Sequence, residues 1–169
     1  MSKSEFHLAQ ANIGRMRGPI DSPAMAGFVA QLDYINSVAD RSPGFVWRLQ
    51  TDEGDATAVE VFDDDTLLFN MSVWESIEDL HDYVYRSDHR VPLRDRKQWF
   101  ERFDKPFIVL WWVPEGHIPT VREAEQKFES LWSRGPSPEA FTFKSSFPPP
   151  GSVEDESSPV SWEECWSSA

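Results

Sequence analysis

Apolar residues change period several times along the chain. Residues 6–13 (FHLAQANI) set Phe6, Leu8, Ala9, Ala11 and Ile13 against His7, Gln10 and Asn12, an alternation that predicts a half-buried strand. After a turn, Asp21 or Ser22 offers an N-cap and Pro23 suits a first helical turn. Met25, Phe28, Val29, Leu32, Ile35 and Val38 then recur at helical spacing until Ser42-Pro43-Gly44 stops the helix. Residues 45–50 (FVWRLQ) predict a second strand, 58–62 (AVEVF) a short further one, and 66–74 (TLLFNMSVW) a strong one. A second helix opens at Glu75-Ser76 and runs through Ile77, Leu80, Val84 and Tyr85. Pro92 starts its continuation through Leu93, Trp99, Phe100 and Phe103, which Lys105-Pro106 breaks. Residues 107–113 (FIVLWWV) form an unbroken apolar run, the mark of a strand buried on both faces. Thr120, with Glu123 three residues on, makes a capping box for a third helix with the stripe Ala124, Phe128 and Leu131.

The order β, α, β, (β), β, α, β, α predicts an α+β, ferredoxin-like split βαβ fold, an antiparallel sheet with helices on one face. Large side chains occupy both strand parities: Trp47 opposes Phe45 and Leu49, and Trp111 adjoins Trp112. Two aromatic faces require two covers, because an exposed apolar sheet face invites aggregation. With helices expected on one face only, the other is expected to meet a second copy of the chain, giving a homodimer, or to enclose a ligand.

Composition narrows the field of functions. The chain has 169 residues, 40% apolar and 14% aromatic, enough for one domain with a real core. We assign residues 1–147 to that domain. Residues 148–169 read as an acidic, Pro/Ser-rich tail, expected to be disordered. Within it Trp162 and Trp166 stand four apart and would share a helical face, as in a docking motif. The net charge of −13 repels a phosphate backbone, so no nucleic-acid partner is expected. No stretch approaches the roughly 20 apolar residues of a spanning helix, so no membrane partner is expected either. The N-terminus lacks an apolar signal core, and the lone Cys165 forms no internal disulfide. Both facts fit a cytoplasmic location.

The segments HLAQANIGRMRGP, LDYINSVADRSPGFVWRLQ, MSVWESIEDLHDYVYRSDH and LWWVPEGHIPTVREAE carry a resemblance. Over about residues 6–147 the chain resembles a small family of uncharacterised proteins that bears a domain-of-unknown-function label. The resemblance implies membership of the dimeric α/β barrel superfamily, whose relatives include antibiotic-biosynthesis monooxygenases and chlorite-dismutase-like haem proteins. It also implies a small-molecule-handling protein of secondary metabolism. Its chemistry would be cofactor-independent and monooxygenase-like, or acid–base (isomerase, cyclase or dehydratase), on a hydrophobic aromatic or polyketide-like substrate. A non-catalytic ligand-binding or protein-interaction module is the alternative.

His81, Tyr85 and His89 are spaced four and four, so an unbroken helix would put them on one face. Two imidazoles and a phenol facing a cavity can move protons. His89 is the expected proton carrier, with Tyr85 and His81 as helpers. Asn12, Trp47, Asn70 and Trp111 are the expected contacts to a small hydrophobic molecule in the lumen, where a few polar groups anchor a ligand among apolar walls. No metal and no cofactor is expected, with haem on His89 as the alternative. Arg90, Arg94, Arg96, Lys97 and Arg102 form a basic cluster, read as a solvated helix face rather than an anion site. The nucleotide, P-loop, nucleophile-elbow and zincin motifs are all absent.

Overall fold

The computed structural model describes residues 5–51, 57, 59–86 and 95–152. Its sheet is built around β1 (Phe6–Arg15). β3 (Leu67–Trp74) and β4 (Ile108–Pro114) flank β1, and β2 (Phe45–Arg48) pairs with β3, so the order is β2-β3-β1-β4 with every neighbour antiparallel. α1 (Ala26–Asp40) joins β1 to β2, and α2 (Ile77–Arg86) joins β3 to β4. Two strand–helix–strand units interleaved in one sheet make the split βαβ arrangement of a ferredoxin-like α+β fold.

Strand parity sorts the core into two sides. Ala9, Ala11 and Ile13 of β1 share a face with Phe69, Met71 and Val73 of β3 and Val109, Trp111 and Val113 of β4. Against that face packs α3 (Val121–Arg134), through Ala124, Phe128 and Leu131, each at most 3% exposed. On the opposite face Leu8, Trp74, Ile108 and Leu110 meet Ile77, Leu80 and Val84 of α2. Helices therefore cover both faces, not one. The aromatic face expected to need a second copy is closed by the chain's own third helix. α3 starts as its sequence predicts: Thr120 Oγ1 accepts the Glu123 amide at 3.1 Å. It stops at Gly135, whose φ of 77° is costly for other residues. The Glu123 carboxylate does not turn back to Thr120. It accepts from Trp111 Nε1 at 3.2 Å and meets His117 Nε2 at 2.9 Å.

Two expected elements, whose residues 58 and 92–94 lie outside the described residues, take another form over the described part. In place of a strand over 58–62, the described residues make a tight reversal in which Val61 bridges Asp64, with Phe62 and Asp63 at φ 56° and 52°. The Phe62 amide donates to Glu125 of α3 at 2.8 Å, which binds the reversal to the helix instead of to the sheet. The helix expected through Trp99 and Phe103 is, among the described residues, a single 3-10 turn at Arg96–Gln98. The chain after it runs beside the end of β1: Arg17 N donates to Trp99 O and Glu101 N to Arg15 O, at 2.9 and 2.8 Å. Those bonds satisfy backbone groups a helix would have paired internally, and they seat Trp99 and Phe100 together against Met25. Beyond α3, Phe141 exchanges two backbone bonds with Leu110 and extends the sheet past β4. Phe141 and Phe143 are fully buried there, and the Phe147 carbonyl accepts from Trp112 Nε1.

Candidate functional site

β1 and β3 carry polar side chains where they pass beneath α1. Gln10 and Asn12 on β1 and Asn70 and Ser72 on β3 share the helix-facing side, with Asn12 directly opposite Asn70 and Gln10 opposite Ser72. Leu or Val at these positions would let α1 close onto the sheet. The helix instead stands off, and only Asn36 and Ala39 of its fifteen residues are buried. Between helix and sheet lies a cavity of about 140 Å³. Phe28, Leu32 and Ile35 of α1 and Leu80, Tyr83 and Val84 of α2 form its apolar walls.

Buried polar groups cost free energy unless bonded, and most of these are. Gln10 Nε2 donates to Ser72 Oγ at 2.8 Å and to Asn70 Oδ1 at 3.3 Å, and Gln10 Oε1 accepts from Asn12 Nδ2 at 3.2 Å. Trp74 Nε1 also donates to Ser72 Oγ at 2.8 Å. Ser72 Oγ thus accepts twice, which fills both lone pairs and leaves its O–H as a donor. Asn70 Nδ2 and Asn12 Oδ1 take no partner among the described residues. The floor therefore presents an O–H, an amide N–H and an amide carbonyl on the cavity side. Tyr83 stacks on Trp74 with ring centres 5.0 Å apart, and its hydroxyl donates to the Ile35 carbonyl at 3.4 Å. Burial pushes the Tyr83 phenol well above its ordinary range, so it stays protonated. Arg48, at the rim, is held by Asp40 at 2.8 Å.

The structure brings together Asn12 and Asn70 and separates them from Trp47 and Trp111. Trp47 stands opposite Val73 and packs on the α3 side, and Trp111 is core on that same side. The four expected ligand contacts are split by the sheet itself. His81 and Tyr85 do share a helix face, with ring centres 4.5 Å apart, but both rings turn to Phe143 and neither lines the cavity. Burial lowers the His81 pKa, against the pull of Asp82 and with the help of Arg86. His89, with its proposed role and the haem alternative, lies outside the described residues, as do Arg90, Arg94, Cys165, Trp162 and Trp166. Ser72 and Tyr83 are site residues that sequence reasoning missed. Asn70 and Ser72, two apart in a strand otherwise apolar, were the available signal for the first.

Among the described residues no helix is long and apolar enough to cross a membrane, and no group of three or more His, Cys, Asp or Glu could hold a metal.

Fold and site together define a ferredoxin-like α+β protein with a polar-floored cavity between its sheet and its crossover helices. The chain belongs to the family described as Domain of unknown function (DUF3291), whose model matches residues 7–157. No curated protein matches it. Among solved structures it is similar to NE2512, a protein of unknown function from Nitrosomonas europaea, at 11% identity and a TM-score of 0.45, over 69% of this chain and 97% of that chain.

Proposed function

We propose that this chain is a small-molecule-binding protein whose ligand lies between α1 and the sheet. The ligand is small and largely apolar, and it carries a carbonyl or hydroxyl group. The observation that carries the reading is the unspent hydrogen-bonding capacity of Asn12, Asn70 and Ser72 on the floor of a cavity walled by apolar side chains of α1 and α2, with Arg48 and Arg96 also in its lining. The Ser72 O–H and Asn70 N–H suit a ligand oxygen. Asn12 Oδ1 suits a ligand O–H or N–H.

Monooxygenase-like or acid–base turnover, as the superfamily resemblance implies, would take place in this same cavity. It would need His89 as proton carrier, because the described lining contains no imidazole and no carboxylate, and its one phenol is held protonated. Binding without turnover is therefore the reading we adopt. The strand order is compatible with a dimeric α/β barrel. A homodimer of that kind would have to seat its partner elsewhere than on the face α3 occupies, or displace α3.

The test is a fragment screen by protein-observed NMR, using phenols, aryl ketones and aryl amides, on the full chain and on Asn70→Leu. Saturable shifts at Asn12, Asn70 and Ser72 are expected, with affinity in Asn70→Leu down by about tenfold. Equal binding by the variant, or no fragment binding at all, would overturn the proposal.

A further inference from the structure

A second cavity, on the far side of Arg96 and Phe100, has a different chemistry. It is a cleft of about 700 Å³ between the end of β1, residues 96–107 and the segment after α3. Six cations line it: Arg17, Arg96, Lys97, Arg102, Lys105 and Lys144, against one acid, Glu101. The chain has 16 Lys and Arg against 29 Asp and Glu. More than a third of its cations thus converge on one cleft, from three stretches remote in sequence, in a protein whose average surface is strongly negative.

Such convergence costs repulsion, and Glu101 is the one acid in the described lining to offset it. Arg17, Lys97, Arg102, Lys105 and Lys144 form no salt bridge among the described residues. Two of them are held in other ways. Arg17 Nε donates to the Lys97 carbonyl at 2.9 Å, and Lys105 Nζ lies 4.7 Å from the centre of the Trp132 ring. The half-buried Arg96 guanidinium lies over Phe107 and Phe100, at 4.3 and 4.9 Å. Loss of water there lowers its pKa to about 10. A carbonyl orients Arg17 and an aromatic face orients Lys105 without neutralising either, which leaves their charge for a ligand. Thr142 and Ser145 add hydroxyl groups to the lining.

We infer that this cleft is a binding site for a small polyanion, a phosphorylated or polycarboxylated metabolite. Its size falls within the range of ordinary ligand pockets. A small anion confined to the cleft would sit among these cations, whereas a nucleic acid would run out over the acidic surface and be repelled. The basic cluster read from the sequence as a solvated helix face is therefore divided: Arg96, Lys97 and Arg102 line the cleft, the first two from the short 3-10 turn and Arg102 from the chain beyond it. This inference stands independently of the inner cavity.

Isothermal titration of the full chain with pyrophosphate, and separately with citrate, tests it. Charge reversal of two exposed positions, Arg102→Glu with Lys105→Glu, provides the comparison, with an unchanged melting profile as the control for folding. The expected result is saturable binding that weakens with added salt and falls by about tenfold or more in the double variant. The stronger of the two probes identifies a phosphoryl or a carboxylate ligand. Equal binding by wild type and variant, or no binding of either probe, would remove the site. So would binding seen only when Glu154, Asp155, Glu156, Glu163 and Glu164 are all changed to their amides, because the cleft's occupant would then be the chain's own acidic tail.

Discussion

Individual side chains here take their chemistry from the face on which the backbone puts them. Alternation in the sequence places Gln10 with Asn12, but parity alone yields two sets without saying which one meets which helix. Asn12 and Asn70 fall in one set and Trp47 and Trp111 in the other, a division that alternation within single strands does not reveal. His81 illustrates the same dependence. Its spacing from Tyr85 was legible, yet the pair meets Phe143 rather than a cavity, and that contact comes from a segment some sixty residues on. Because burial lowers the His81 pKa in the folded chain, the unfolded chain takes up this proton first as pH falls. Stability from this group is complete above the ordinary histidine range and declines as pH drops below the unfolded value of about 6.5. His81→Gln removes that contribution. The melting temperature of wild type should therefore fall further than that of the variant between about pH 7.5 and about pH 5.5. Parallel declines would show that His81 does not carry the effect.

At the scale of elements, legibility followed the number of independent local signals. α3 had an N-cap and an apolar stripe, and both agree with the structure, although the Glu123 carboxylate meets Trp111 and His117 instead of closing the box. The helix expected through residues 92–103 had apolar residues and a proline but no cap of its own. At Trp99 and Glu101, pairing with the end of β1 claims the backbone instead. The short strand over 58–62 failed because a strand needs a neighbour. Val61 finds its neighbour in Asp64, three residues on, so the chain reverses on itself and bonds to Glu125. Such partners are tertiary facts, and no window of sequence contains them. α3 is a structural cover in its own right, since Phe128 is fully buried and its ring lies 5.3 Å from Trp132 and 6.2 Å from Phe62. Phe128→Ala should cost about 3–5 kcal/mol, the range for emptying a large aromatic site in a core. Urea denaturation would measure it. A loss under about 1 kcal/mol would mean that α3 packs loosely or that the site collapses around the vacancy.

For the whole molecule, the sequence correctly required that both sheet faces be covered and misassigned one cover. The inference to a second copy assumed that every helix lies on one side, as the two crossover helices must. A helix after the last strand is under no such constraint, because it has no parallel strand to return to. α3 uses that freedom, and Ala9, Ala11, Met71, Val109 and Trp111 are at most 1% exposed within a single chain. Any self-association that preserves this core leaves α3 in place. Backbone amides of α3 around Phe128 should then exchange with deuterium only through global unfolding, at a rate that does not change when protein concentration is raised about a hundredfold. A sheet-to-sheet dimer predicts the opposite. α3 would have to swing away, its amides would lose protection as dimer forms, and their exchange would speed up with concentration. Hydrogen exchange followed by mass spectrometry separates the two, because it reads the helix itself rather than the mass of the assembly.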